Sequence, residues 1–229
     1  MNIITIGDLH GSAAWKEIDP GEWDQMVFIG DYVDSPDYSD EDIRQNLEDV
    51  IALKKTHPEK VVLLWGNHDL SYLYGGHPRH YASGFRKQML PFFFTIFTAN
   101  RGLFRAAFGS GRHLWTHAGV VQRYYERHIK DHVIPGDPDL AGTLNRLFDA
   151  YYEPLFHAGM LRGGLHEDGG IFWADLRETN ADPLRGYHQV AGHTKTRGGI
   201  RVADHYGDDT SVTYVDCLVT SAAFFKLEV

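Results

Sequence analysis

Gly7-Asp8-Leu9-His10-Gly11 ("GDLHG", residues 7–11) follows the apolar run Ile3, Ile4, Thr5, Ile6. The β-branched run predicts a strand over 2–6. At its end stand an Asp and a His two positions apart, flanked by glycines. Alone, such a stretch reads as a polar turn. The same event recurs, however, after four more apolar runs. MVFI (26–29) leads into GDYVD (30–34), VVLLW (61–65) into GNHD (66–69), HLWT (113–116) into THAG (116–119), and HQVA (188–191) into GHT (192–194). Five expected strand ends thus carry Asp, Asn or His, in four of them directly beside glycine. In an open α/β sheet the carboxyl ends of strands form the ligand-binding edge, so these groups are expected to converge. Asp, Asn and His supply the O and N donors that hold divalent first-row metals, and glycine allows the sharp turns that aim short side chains at one centre.

The rest of the chain supports an α/β reading. The runs at 26–29 and 61–65 are continuously apolar, as expected for strands covered on both faces. Between them lies SDEDIRQNLEDVIALKKTHPEK, a helix capped by Ser39 or Asp40. Its apolar face is Ile43, Leu47, Val50, Ile51 and Leu53, and Lys54 and Lys55 sit at its C-terminal end. Strand, helix, strand at this spacing is a βαβ unit. A helix is expected across 83–99, interrupted near Pro91, and further helices over 121–132 and 139–157. Further strands are expected at 113–119, 171–175 (IFWAD), 188–194, 199–204, 212–216 and 221–229. Neither repeats nor low-complexity linkers are present, so residues 1–229 read as one domain, with a cap-like, aromatic-rich insertion at about 70–110. Its cluster Tyr72, Tyr74, His77, Arg79, His80 and Tyr81 reads equally as a surface for a base or phenyl ring and as part of a helical core. Phe92, Phe93 and Phe94 read as core.

Composition narrows the function. The chain has 229 residues and a formal net charge of −9, which argues against general nucleic-acid or anionic-membrane binding. Its longest apolar cluster, PFFFTIF (91–97), is too short to span a bilayer. The N-terminal MNIITIGDLHG has no basic region followed by a long apolar one, so no signal peptide is expected. Cys217 is the single cysteine, lies in an apolar run and reads as core. A cytoplasmic protein is the expectation.

The order GD-x-H, GD-x-x-D, GNH-D, His, GH resembles the calcineurin-like metallophosphoesterase superfamily, over Gly7 to Thr194. GDLHG, GDYVD and THAG lean toward the branch of Ser/Thr phosphoprotein phosphatases and diadenosine tetraphosphatases. The terminal VTYVDCLVTSAAFFKLEV resembles that branch's closing hairpin. The resemblance implies a four-layer α/β/β/α sandwich and two divalent metals, with Mn the first expectation and Fe, Zn, Co or Ni also compatible. Asp8 and His10 would hold the first metal, Asp31 would bridge both, and Asn67, His117 and His193 would complete the second. Two ions about 3.5–4 Å apart neutralise phosphoryl oxygens and acidify a bridging water for direct attack. The resemblance assigns His68 as general acid, with Asp34 orienting it and favouring its protonated form. On the residues alone, Asp34 equally reads as a turn residue before Ser35-Pro36.

The branch continues GDYVDRG where this chain reads GDYVDSP. Ser35 therefore replaces the arginine that would grip a terminal phosphate, and offers one hydrogen bond without charge. Arg177, in FWADLRE, is expected to join Ser35 in contacting substrate; Arg79, Arg86 and Arg185 are weaker candidates. Asp69 stands where the phosphoprotein phosphatases have Glu. The leading expectation is a dinuclear metal-dependent phosphatase acting on a phosphomonoester, protein-borne or small. The alternative is a nucleotide pyrophosphohydrolase or phosphodiesterase of the diadenosine-tetraphosphatase type, with a catalytically silent scaffold as a third reading.

Overall fold

In the computed structural model, residues 1–229 are described except 78–79, 136–138, 206–208, 222 and 229. In chain order the described residues form β1 (Asn2–Ile6), β2 (Gln25–Phe28), α1 (Asp40–Thr56), β3 (Val61–Leu64), α2 (Asn67–Leu73), α3 (Leu90–Ala99), β4 (Phe104–Arg105), β5 (Ala107–Ser110) and β6 (His113–Thr116). There follow α4 (Gln122–His128), α5 (Leu140–Asp149), α6 (Leu176–Ala181), β7 (His188–Ala191), β8 (Arg201–His205), β9 (Thr210–Tyr214), α7 (Leu218–Ser221) and β10 (Phe225–Glu228).

Two five-stranded sheets result, ordered β10-β1-β2-β3-β4 and β5-β6-β7-β9-β8. Strands β1 to β4 run parallel and β10 antiparallel to β1. In the second sheet β6, β7 and β9 are parallel, and the edges β5 and β8 antiparallel. The period-2 alternation of a strand divides each apolar run between two faces. Ile3, Val27, Ile29, Val62 and Leu64 pack with Trp115, Val190 and Val215, so the sheets lie face to face. The alternate positions Ile4, Ile6, Met26, Phe28 and Leu63 pack instead with Ile43, Leu47 and Val50 of α1 and Phe93 and Phe97 of α3. On the other side, Leu176 of α6 covers Ala191, Val212 and Tyr214. This is the helix, sheet, sheet, helix layering that the resemblance implied, and it covers both faces of the continuously apolar strands. A buried polar tie crosses between the sheets, where Trp115 Nε1 donates to Thr5 Oγ1 at 2.9 Å.

Helix α1 begins where its sequence places it. Ser39 Oγ accepts from Asp42 N at 3.1 Å, and the Asp42 carboxylate accepts from Ser39 N, a reciprocal cap. Several expectations need correction. Pro91 does not interrupt a helix over 83–99; it sits at the start of α3, where its missing N–H costs nothing. IFWAD (171–175) is not a strand. Gly169 and Gly170 lie so close to Ala174 and to the Leu155 carbonyl that the chain turns tightly there, and Asp175 then caps α6 by accepting from Arg177 N. The helix expected over 139–157 ends at Asp149; Tyr151 takes φ 52° and Glu153–Phe156 form a 3-10 turn. The terminal segment is no hairpin, because β9 and β10 belong to different sheets. Within 70–110, β4 extends the first sheet; Phe93 and Phe97 are fully buried, Phe92 is half-buried, and Phe94, expected in the core, is exposed. Among the described residues no helix is long and apolar enough to cross a membrane.

Candidate metal centre

All five motifs lie just beyond the C-terminal ends of β1, β2, β3, β6 and β7. Backbone hydrogen bonds lock the loops together: His10 N donates to Asp31 O at 2.8 Å, Gly11 N to Tyr32 O at 3.2 Å, and Gly192 N to His117 O at 2.8 Å. Of the six described non-glycine residues with positive φ, four are His10 (43°), Asp31 (53°), Asp34 (60°) and His193 (64°). Left-handed backbone costs free energy in such residues and persists where surrounding structure enforces it, typically at functional sites.

Asp31 is the hub. Its Oδ2 lies 3.7 Å from His10 Nε2, 4.0 Å from His68 Nε2 and 3.4 Å from His117 Nε2. Two groups of donor atoms close enough to hold a metal ion share it: His10, Asp31 and His68, and Asp31, His117 and His193. Asn67 joins the second, its Oδ1 lying 2.9 Å from His117 Nε2 and 2.8 Å from His193 Nδ1. Asp8 is buried beside them, and its carboxylate accepts from His193 N at 2.9 and 3.1 Å. The sequence-predicted ligands Asp8, His10, Asp31, Asn67, His117 and His193 are thus brought to one place.

The donor chemistry fits a cation. His10 Nδ1 lies 2.9 Å from Val33 O, and His117 Nδ1 3.0 Å from Ile29 O. A carbonyl only accepts, so each Nδ1 carries the proton, and in the neutral ring Nε2 presents a lone pair. Those lone pairs face the oxygens of Asp31 and Asn67, acceptor against acceptor, an arrangement that a positive ion between them satisfies. His193 Nε2 is buried without a hydrogen-bond partner among the described residues. The carboxylates tell the same story. Burial and then the charges of Asp216 and Asp31 push Asp8 well above its usual range. Burial and Asp31 likewise push up Asp69, and burial followed by Asp31 lifts Asp216 to about 6. Asp31 moves the other way: burial opposes its charge, but His117, His68 and His10 together hold it well below the usual range.

His68, whose Nε2 belongs to the first of these groups, is held through its other ring nitrogen. Its Nδ1 lies 3.0 Å from Asp34 Oδ2, and Tyr72 Oη donates to the other oxygen of Asp34. Burial lowers its pKa, but the Asp31 charge and the Asp34 bond outweigh it, leaving His68 raised. Asp69, expected only as a departure from Glu, proves to be a bracket: its carboxylate accepts from Asp31 N, Tyr32 N and Gly66 N, each at 2.9 Å. Tyr72 was expected only as part of the aromatic cluster, not as a partner of Asp34, and Asp216 was not singled out as a site residue. For Tyr72 a signal existed, since it lies four residues beyond His68 and so shares its helix face.

The residues expected at the substrate fare differently. Ser35 is buried, and its Oγ accepts from Asp37 N at 3.1 Å within its own turn. Arg177 has a side chain 66% exposed and pairs with Asp175 at 2.8 Å. Arg86 is tied to Asp40 and to the carbonyls of Ser35 and Tyr38. The Arg185 backbone donates to Gln122 at 2.9 Å; Arg79 lies outside the described residues. In the aromatic cluster, Tyr74 stacks on His80 with ring centroids 4.5 Å apart, while Tyr81 is exposed.

Residues 1–212 match the family described as calcineurin-like phosphoesterase. No curated protein matches the sequence. Among solved structures, two of a cold-active protein tyrosine phosphatase, one a mutant, align with TM-score 0.61. Their identities are 17% and 18%, covering 99% of this chain and 75% and 73% of theirs. A protein serine/threonine phosphatase from Saccharomyces cerevisiae aligns with TM-score 0.48 and 18% identity over 94% of this chain and 66% of its own.

Proposed function

The chain belongs to the calcineurin-like phosphoesterases, and from that premise we propose that it is a dinuclear metal-dependent hydrolase acting on phosphomonoesters. The observation that carries the reading is Asp31, shared by two groups of metal-competent donors. Asp8, His10 and Asp31 would hold one ion; Asp31, Asn67, His117 and His193 the other. Two divalent ions, when bound, supply Lewis-acid charge for the phosphoryl oxygens and a more acidic water as nucleophile. The mixed N/O donors suit Mn, Fe, Zn, Co or Ni, and the proposal takes Mn first with availability deciding among them.

The protein's own groups divide the remaining work. His68, protonated and held through Nδ1 by Asp34, directs Nε2 to the leaving oxygen and gives it a proton. Asp34 is in turn fixed by Tyr72, whose hydroxyl also accepts from Arg86 N at 2.8 Å. Asp69 pins the three backbone N–H groups that present Asp31 and begin α2. The buried, uncharged Ser35 favours a second reading, a pyrophosphohydrolase of dinucleoside polyphosphates, whose scissile phosphoryl needs less terminal charge recognition.

A phosphoester panel with added Mn²⁺ tests both. The proposal expects turnover of phosphomonoesters, abolished by chelation. Faster cleavage of a dinucleoside polyphosphate than of any monoester would favour the second reading. No turnover of any phosphoester by folded, metal-loaded protein would overturn both.

A further inference from the structure

Neither the sequence motifs nor the roles above use Arg162. It lies in the loop between α5 and α6, closed on itself by backbone bonds. Met160 N donates to His166 O at 2.8 Å, Gly164 N to Gly159 O at 3.0 Å, and Gly170 N to His157 O at 2.8 Å. From this fixed base the side chain turns to the metal centre. Its Nε lies 2.9 Å from Asp175 Oδ2, and its Nη2 donates to Thr194 Oγ1 and reaches 3.5 Å from the His193 carbonyl. The side chain is 24% exposed. Its positive charge is felt by His193 and by Asp216. Nη1 has no hydrogen-bond partner among the described residues.

The other described cations that could serve are committed or differently placed. Arg86 is consumed by the Ser35 turn. Arg177 is outside, on the far oxygen of the same Asp175. Arg123 pairs with Asp168 at 2.5 Å. Lys195, whose charge reaches His10 and Asp216, is exposed and is a point charge without a fork.

Resting on the proposed hydrolysis of phosphoesters, we infer that Arg162 binds the non-bridging oxygens of a terminal, doubly charged phosphoryl group and sets the preference for monoesters over diesters. Asp175 and Thr194 are positioning residues that hold one edge of the guanidinium, leaving the other for the ligand. A charge-assisted fork gains most on a dianion and less on the single charge of a diester.

The test compares p-nitrophenyl phosphate with bis(p-nitrophenyl) phosphate on the Mn²⁺-loaded full chain, with inorganic phosphate affinity measured by calorimetry. Arg162→Gln is expected to cut kcat/KM for the monoester about 10–100-fold, the worth of a charged hydrogen bond, largely through KM. The diester should lose several-fold less, and phosphate binding should weaken in step with the monoester. Arg162→Lys should fall between Arg162→Gln and the unaltered protein on each readout. Equal losses on both esters, or unchanged phosphate affinity, would overturn the inference. So would transfer of the selective loss to Lys195→Gln or Arg177→Gln. If the unaltered protein hydrolyses neither ester, the functional reading fails, and weaker phosphate binding by Arg162→Gln still upholds the role of Arg162.

Discussion

His68 is held on two sides. Asp34 grips Nδ1, and Asp31 lies 4.0 Å from Nε2. A proton donor so placed matters in proportion to the basicity of the leaving group. His68→Ala is expected to slow turnover of alkyl phosphates by about 10²–10⁴-fold. It should slow p-nitrophenyl phosphate far less, because that phenolate leaves without help. Both metals should stay bound. Rates on the two ester types and a metal count check this; equal losses would mean that His68 binds phosphoryl oxygens instead. Tyr72→Phe should repeat the pattern more mildly, since it frees one Asp34 oxygen but keeps the ring in the core. At this scale the convergence of the six residues proposed as ligands was legible because each lies just beyond an apolar run, and strand ends share an edge. Arg162 and Asp216 were not. Nothing local marks Arg162, whose loop approaches the site only in the folded chain; Asp216 does end an expected strand, VTYVD, but without a neighbouring glycine.

Among elements, the turns between strands and helices carry the most constraint. A Cβ at Gly66 would stand 2.1 Å from Asp31 Oδ1 and 2.2 Å from Asp31 N. Its φ of −108° is ordinary, so close approach alone demands glycine. Gly66→Ala is therefore expected to displace the hub carboxylate, lowering both metal affinity and melting temperature. Metal titration and thermal denaturation measure these, and unchanged metal affinity would refute the packing argument. The neck of the Arg162 loop adds a pH dependence. His157 and His166 stack with centroids 3.5 Å apart, and His128 meets His157 edge-on. Burial, then the neighbouring His166 and His128, push His157 down to about 4. A histidine that resists protonation when folded contributes stability above its unfolded value near 6.5, and that stability is lost as pH falls toward 4. The melting temperature should drop across that window, and His157→Gln should flatten the slope. The βαβ start was legible from periodicity and caps. IFWAD was misread because a short apolar run does not distinguish a strand from a tight turn packed in a core; the close backbone contacts of Gly169 and Gly170 decide it.

Over the whole molecule, two sheets stacked face to face bring the ends of β1, β2 and β3 opposite those of β6 and β7. That convergence is what turns five separate turns into one centre. The layered α/β architecture followed from continuous apolar runs and a resemblance in motif order. The antiparallel edges β5 and β8, and the return of β10 beside β1, did not, because pairing partners far apart in sequence leave no periodic trace. A centre with buried Asp8, Asp31, Asp69 and Asp216 is expected to gain stability on binding cations. The most direct measurement is calorimetric titration of chelator-stripped protein with Mn²⁺, run in parallel with p-nitrophenyl phosphate hydrolysis. The account predicts two ions per chain, turnover appearing only as the second binds, and loss of both in Asp31→Asn. Turnover in the stripped protein, or two ions bound with undiminished affinity by Asp31→Asn, would contradict it.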